Sequence, residues 1–77
     1  MVTFLQTELV LLNMLIESEG YTVYSLLKRM GVNIKQSYIT RDLGIYEGII
    51  NYKGQIFYVK VKSLAREITE FIIGQGE

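Results

Sequence analysis

The N-terminal third of the chain has apolar residues at the spacing of a helix. The stripe recurs every three to four residues and consists of Leu5, Leu9, Leu12, Leu15 and Ile16. It predicts a helix over residues 4–18, with Thr3 as its N-cap. A shorter stripe predicts a second helix over residues 23–30, and Gly31 fits the left-handed position that follows a helix end.

Two further helices are predicted in the second half of the chain. Asn33, with Gln36 three residues later, matches a capping box and predicts a third helix over residues 33–43. Ser63 is the predicted N-cap of a last helix over residues 63–73, which carries its own apolar stripe. The pattern therefore indicates four helices in all.

A β-hairpin is predicted over residues 48–62, between the third and the last helix. Its turn falls at residues 51–54, because Asn51 and Gly54 suit a type I turn followed by a left-handed glycine. The return strand alternates with period two. Its predicted core-facing residues are Phe57, Val59 and Val61, and its predicted water-facing residues are Tyr58, Lys60 and Lys62.

The amino-acid composition excludes several kinds of functional site. The 77 residues include no cysteine and no histidine, so disulfides and the usual thiolate and imidazole metal ligands are excluded. No catalytic set is visible, and neither an enzyme nor a cofactor is predicted. Apolar runs fall well short of the roughly 20 residues that cross a bilayer, and the N-terminus lacks the features of a signal peptide. A cytoplasmic protein without membrane contact is therefore expected.

Charge is distributed unevenly, although the formal net charge is zero. Residues 1–27 carry three acidic side chains and no basic one, whereas residues 28–62 carry seven basic and two acidic ones. Residues 63–77 are again acidic on balance. A basic middle section favours a local anion-binding face, and the alternative is a set of solvated lysines along a sheet edge.

The order of these elements resembles the winged helix-turn-helix family of DNA-binding proteins. The resemblance is carried by the corner at residues 26–32, by Arg41, Asp42 and Leu43, by Gly48, Ile49 and Ile50, and by the tip at residues 51–54. It covers nearly the whole chain. The fold that it implies is α+β but mostly α, with three helices, a β-hairpin wing and a C-terminal helix in one domain over residues 1–77.

The resemblance implies a recognition helix in the major groove and a wing on the backbone or minor groove. The DNA-binding residues that it implies are Lys35, Ser37, Tyr38, Thr40 and Arg41 on the helix, and Tyr52 and Lys53 on the wing. Such side chains can read bases and neutralise phosphates. Further phosphate contacts are expected from Lys28, Arg29, Lys60 and Lys62, although the first two also complement a helix dipole.

The expected function is sequence-specific binding of double-stranded DNA by a small dimeric transcriptional regulator. The alternative is a winged-helix module that docks a segment of a protein partner at the sheet edge or the groove beside it. Convergence of the basic residues on one face would favour DNA, and scatter would favour docking.

A homodimer is expected because the first and last helices are too apolar to be covered by one small core. With 49% hydrophobic residues, the chain has more apolar surface than a domain of this size can bury alone. A symmetric two-fold interface is the commonest way to cover the remainder. The predicted interface residues are Val10, Leu11, Met14, Phe71 and Ile72.

Overall fold

Residues 1–75, which the computed structural model describes, form a five-stranded antiparallel sheet with two helices on one face. The elements are β1 (Val2–Thr3), α1 (Gln6–Glu19), α2 (Val23–Arg29), β2 (Asn33–Ile39), β3 (Leu43–Tyr52), β4 (Gln55–Leu64) and β5 (Glu67–Gln75). The strand order across the sheet is β1-β5-β4-β3-β2. The chain is therefore mostly strand, 51% against 28% helix, and the expectation of a mostly α winged helix is wrong.

The first two predicted helices are confirmed, with small shifts at their ends. Thr3 lies in β1 and does not cap α1; the first turn is instead closed by Glu8, whose Oε1 accepts from the N–H of Leu5 at 2.7 Å. Thr22 caps α2 by accepting from the N–H of Ser25 at 3.1 Å. Gly31 has the positive φ, 95°, that the sequence predicts after the second helix.

The core lies between the helices and one face of the sheet. The buried residues that form it are Leu9, Ile16, Val23, Leu26, Leu27, Val32, Tyr46, Val59, Val61, Ile68 and Phe71. Phe71 also stacks on Phe4, with ring centroids 4.3 Å apart. Because α1 and α2 cover only this face, the opposite face of the sheet is left without a packed layer among the described residues.

The predicted hairpin is confirmed, but it is longer than residues 48–62 and its turn is tighter. Tyr52 pairs with Gln55, so the loop is only Lys53 and Gly54, and both have positive φ, 53° and 82°. This is the two-residue arrangement that matches the twist of a hairpin. Val59 and Val61 are buried as predicted, and Tyr58 and Lys60 are exposed.

The third helix, predicted over residues 33–43, is absent because residues 33–39 form β2. This strand pairs with β3, and the backbone of Gly48 allows the close approach. The register shifts between Ile34 and Gln36, which makes Lys35 the extra residue of a β-bulge. Pairing with a neighbouring strand outweighs the capping signal at Asn33, because strand formation depends strongly on context.

The prediction of a last helix over residues 63–73 is also wrong, because residues 67–75 form β5. Ser63 pairs with Ile68, whereas Lys62 pairs with Glu70, so Thr69 is the extra residue of a second bulge. The bulge brings Ile68 and Phe71 to the same face at a spacing of three. That spacing imitates a helix in the sequence, although the abundance of isoleucine and threonine suits a strand.

Asn13 joins α1 to β5 at this bulge. Its Nδ2 donates to the carbonyl oxygen of Ile68 at 3.1 Å, and its Oδ1 accepts from the N–H of Ile68 at 2.7 Å. We expect Asn13→Ala to lower the free energy of unfolding by about 2 kcal/mol, because two part-buried backbone groups lose their partners. Urea denaturation measures the loss, and Asn13→Asp, which keeps the acceptor, should lose less. An unchanged Asn13→Ala variant would show that these bonds add no net stability.

Candidate nucleic-acid interface

The stretch of sequence that contains α2 and β2 carries only basic charge. No acidic residue occurs between Glu19 and Asp42, whereas this stretch contains Lys28, Arg29, Lys35 and Arg41. All four are exposed, and α2 contacts β2 directly. We call these four residues the basic edge.

The negative charge of the helix layer lies on the other helix. α1 carries Glu8, Glu17 and Glu19 and no basic residue. The two helices therefore have opposite charge, although the formal net charge of the chain is zero. Such a separation produces a local positive potential that the overall pI of about 6.2 conceals.

β2 is an outer strand of the sheet, with only β3 paired to it among the described residues. Six of its seven residues are exposed, and Ile34 alone is half-buried. Ser37 and Tyr38, predicted on a recognition helix, therefore lie on an exposed strand. Tyr38 is the more prominent of the two, with 61% of its surface exposed.

The turn after β2 presents Arg41 at its apex. The N–H of Thr40 donates to the carbonyl oxygen of Leu43 at 2.8 Å, and the Thr40 hydroxyl accepts from the N–H of Leu43 at 3.0 Å. Thr40 thus holds the turn closed, and its hydroxyl already has a partner. Arg41 is left free to contact a ligand in solvent.

Tyrosine rings lie beside three of the basic side chains. The Nζ of Lys28 is 5.6 Å from the ring centre of Tyr24, and Arg29 lies 5.8 Å from that of Tyr21. At the tip of the β3–β4 hairpin, Lys53 lies 5.3 Å from the ring of Tyr52. These distances suit cation–π contacts, which orient the basic groups without neutralising them.

The remaining predicted phosphate contacts lie elsewhere. Lys60 and Lys62 point away from the helices on β4, and their neighbours across the sheet are Glu47 and Glu70. Tyr52 and Lys53 lie at the hairpin tip. The basic residues therefore converge only in part: Lys28 and Arg29 are neighbours on α2, Lys35 and Arg41 lie on β2 and in the turn after it, and the others are distributed over the tip and the sheet.

The predicted dimer residues do not form one surface. Val10, Leu11 and Met14 are exposed on α1, whereas Phe71 is buried in the core at 1% exposure. Ile72 lies on the opposite face of the sheet from the helices, since it neighbours Phe71 along β5. Only the three residues of α1 remain together as an exposed apolar group.

Two further observations concern the described residues alone. Within residues 1–75 no group of three acidic, cysteine or histidine side chains is arranged to hold a metal ion. Neither helix of this part of the chain is long and apolar enough to span a bilayer.

Comparison with known proteins identifies no relative of this chain. No family model, curated protein or solved structure matches it. The winged-helix resemblance therefore has no support from other proteins, and the case for function depends on the surfaces described above. The basic edge could have been recognised in the sequence from the uninterrupted lack of acidic residues between Glu19 and Asp42.

Proposed function

We propose that the protein binds nucleic acid along its basic edge. The observation that carries the proposal is the set of four exposed cations on α2, β2 and the following turn, without an acidic residue in that stretch. Contacts with phosphates supply most of the sequence-independent affinity for nucleic acids. The proposal keeps Lys35 and Arg41 as binding residues but assigns them to a strand and a turn.

The major-groove mechanism is not part of this proposal, because the recognition helix that it needs is β2. A seven-residue strand is about 23 Å long at roughly 3.3 Å per residue. At about 3.4 Å per nucleotide, this length matches about seven nucleotides along one strand of a duplex. The edge is therefore long enough for Lys35 and Arg41 to contact separate phosphates.

Single strands are the form of nucleic acid that this surface suits best. Tyr24 is exposed beside Lys28, Tyr38 is exposed on β2, and a tyrosine ring can stack on a base only where that base is unpaired. Stacking of this kind contributes about 1–3 kcal/mol per base. We therefore expect single-stranded oligonucleotides to bind at least as tightly as duplexes of the same length.

The salt dependence of binding tests the electrostatic part of the proposal. Four phosphate contacts predict a slope of about −3 in log K against log salt for a single strand, at about 0.7 per contact. Lys35→Gln and Arg41→Gln should each reduce the slope by about 0.7, because each removes one contact. Fluorescence anisotropy with a labelled random-sequence oligonucleotide over a salt series measures the slopes.

Lys60→Gln is the matched control, because it removes the same charge from the sheet face outside the basic edge. Its slope should equal that of the parent. Tyr38→Ala should weaken single-strand binding and leave duplex binding unchanged. Absence of binding at low salt, or equal losses in all three charge variants, would contradict a defined nucleic-acid surface.

The same edge has a free backbone that favours a second function, the docking of an extended peptide segment against β2. Its seven residues are enough for a partner strand to pair with. However, Lys35 and its bulge are features by which native sheets discourage such pairing. Nucleic-acid binding is therefore the better supported of the two, and peptide docking becomes the leading function if oligonucleotides fail to bind.

A further inference from the structure

The face of the sheet opposite the helices, which we call the open face, is unusually apolar for a surface in water. Residues next to the buried ones along each strand point to this face. Its apolar members on the three long strands are Leu43, Ile45, Ile49, Ile56, Tyr58, Leu64 and Ile72. An antiparallel sheet with one solvated face normally alternates apolar and polar residues, so a patch of this kind marks an interaction surface.

A groove runs through the centre of the open face. Tyr58 pairs across the sheet with Ile49 on one side and with Gly74 on the other. A Cβ placed on Gly74 would have no atom within 4 Å, so the space beside the Tyr58 ring is empty. The resulting groove has a volume of about 510 Å³ and is bounded by Ile49, Tyr58 and Ile72, among others.

We infer that the open face binds the open face of a second copy of this chain. Its central charges are balanced: Glu47 lies beside Lys60, and Glu70 lies beside Lys62. A partner of one charge would meet two like charges wherever it met two opposite ones. A second copy instead supplies the complement of Lys62 and Glu70, because it carries the same two charges side by side.

A single two-fold axis pairs Lys62 with Glu70 and also fills the groove. If the axis lies between β4 and β5 and parallel to them, β4 of each copy lies over β5 of the other. Because Lys62 pairs with Glu70 at one level, Lys62 then faces Glu70 of the second copy. Tyr58 pairs with Gly74 at another level, so the ring of Tyr58 enters the space above Gly74 of the second copy.

The overlap has the size of a weak, reversible interface. β3 and β4 have ten residues each, which gives a length of about 33 Å, and the three long strands of the overlap, at about 4.8 Å each, are about 14 Å wide. The overlap is therefore roughly 480 Å² per copy, or about 950 Å² in total, in the range of weak, transient interfaces. β2 lies outside the overlap but Lys35 borders the groove, so the dimer leaves Lys28, Arg29 and Arg41 accessible and does not require the proposed function.

A charge exchange between two variants tests the interface. Lys62→Glu alone and Glu70→Lys alone should each weaken the dimer by about 100-fold or more, because two like-charged contacts form across the two-fold axis. An equimolar mixture of the two should recover the dimer, because the glutamate introduced in one chain then faces the lysine introduced in the other. Analytical ultracentrifugation at micromolar concentration measures the mass in each case.

Recovery on mixing can only arise between chains. Within each single variant, positions 62 and 70 still carry like charges side by side, and mixing does not change that. Lys53→Glu is the control, since Lys53 lies in the loop of the hairpin, outside the overlapping strands, and the dimer should persist. If either exchange variant fails to fold, Tyr58→Lys serves instead and should be monomeric, because it removes the ring from the groove.

Three results would overturn the inference. The parent chain could be monomeric at micromolar concentration, or the mixture could remain monomeric although both variants fold. Alternatively, Leu11→Glu on the exposed side of α1 could dissociate the parent dimer while the open-face variants do not. The last result would assign the interface to α1.

Discussion

Phe71→Ala is expected to lower the free energy of unfolding by about 3–5 kcal/mol. The Phe71 side chain is 1% exposed and stacks on Phe4, so truncation leaves a cavity between β5 and the segment that leads into α1. A chain of 77 residues has a total stability of about 4–12 kcal/mol at roughly 0.05–0.15 kcal/mol per residue. The variant should therefore be close to unfolding at room temperature, as urea denaturation followed by circular dichroism will show.

Leu11→Ala is the control for this experiment. Leu11 is 65% exposed on α1, so its truncation should change the unfolding free energy by no more than about 0.5 kcal/mol. The comparison also separates two roles for Phe71. A folded, fully stable Phe71→Ala chain with an altered oligomeric state would restore the interface role that the sequence predicts and contradict its place in the core.

Gly48→Ala is the second substitution with a large expected effect. A Cβ at position 48 would collide with the carbonyl oxygen of Asn33 and lie 3.0 Å from the Cα of Ile34. Both are backbone atoms of β2, so no rotamer change relieves the collision and the strands must separate. We expect the free energy of unfolding to fall by about 3 kcal/mol, the upper end of the range for overpacking. Amide hydrogen exchange along β2 should also become faster.

Gly74→Ala provides the matched comparison on β5. Its added Cβ would have no atom within 4 Å, and glycine weakens a strand by about 0.5–1 kcal/mol relative to alanine. The variant should be as stable as the parent or slightly more stable. Both alanine variants are measured at a protein concentration low enough for the chain to be monomeric. Equal stability of the two would mean that β2 does not approach β3 as closely as the structure shows.

Local signals predicted the elements that depend on local interactions. The apolar stripe of α1, the stripe of α2 with Gly31 after it and the turn within residues 51–54 each involve residues within a few positions of one another. These elements form largely independently of the rest of the chain. The hairpin needs only the alternation of its own two strands and a turn with two positive φ angles.

The two wrong predictions, helices over residues 33–43 and 63–73, have one physical cause in common. Both β2 and β5 contain a bulge, at Lys35 and at Thr69, and each bulge shifts the side-chain alternation by one residue. A strand with a shifted alternation places Ile68 and Phe71 on one face at a spacing that also fits a helix. Sequence alone does not show the bulge, because it arises from pairing with a strand elsewhere in the chain.

The residues of the candidate site could be identified from the sequence, but their positions in the fold could not. Lys35, Ser37, Tyr38 and Arg41 are exposed in one stretch, which the sequence indicates, although they lie on a strand and a turn. Lys60 and Lys62 were grouped with them by charge, yet the sheet order places them on the open face beside Glu47 and Glu70. The alternation of β4 predicts which of its residues face the core, but the cross-strand neighbours of Lys60 and Lys62 are unknown from the sequence.

The pairing of β1 with β5 has a consequence for the order in which the chain can fold during synthesis. Val2 pairs with Ile73, and the N–H of Phe4 donates to the carbonyl oxygen of Phe71 at 2.9 Å. During synthesis β1 therefore has no partner until β5 has followed it. The hairpin of β3 and β4 can close early, because its contacts are local. The apolar side of α1 stays exposed to water until the rest of the sheet has formed. Docking of α1 and β1 is thus expected to be the final step of folding.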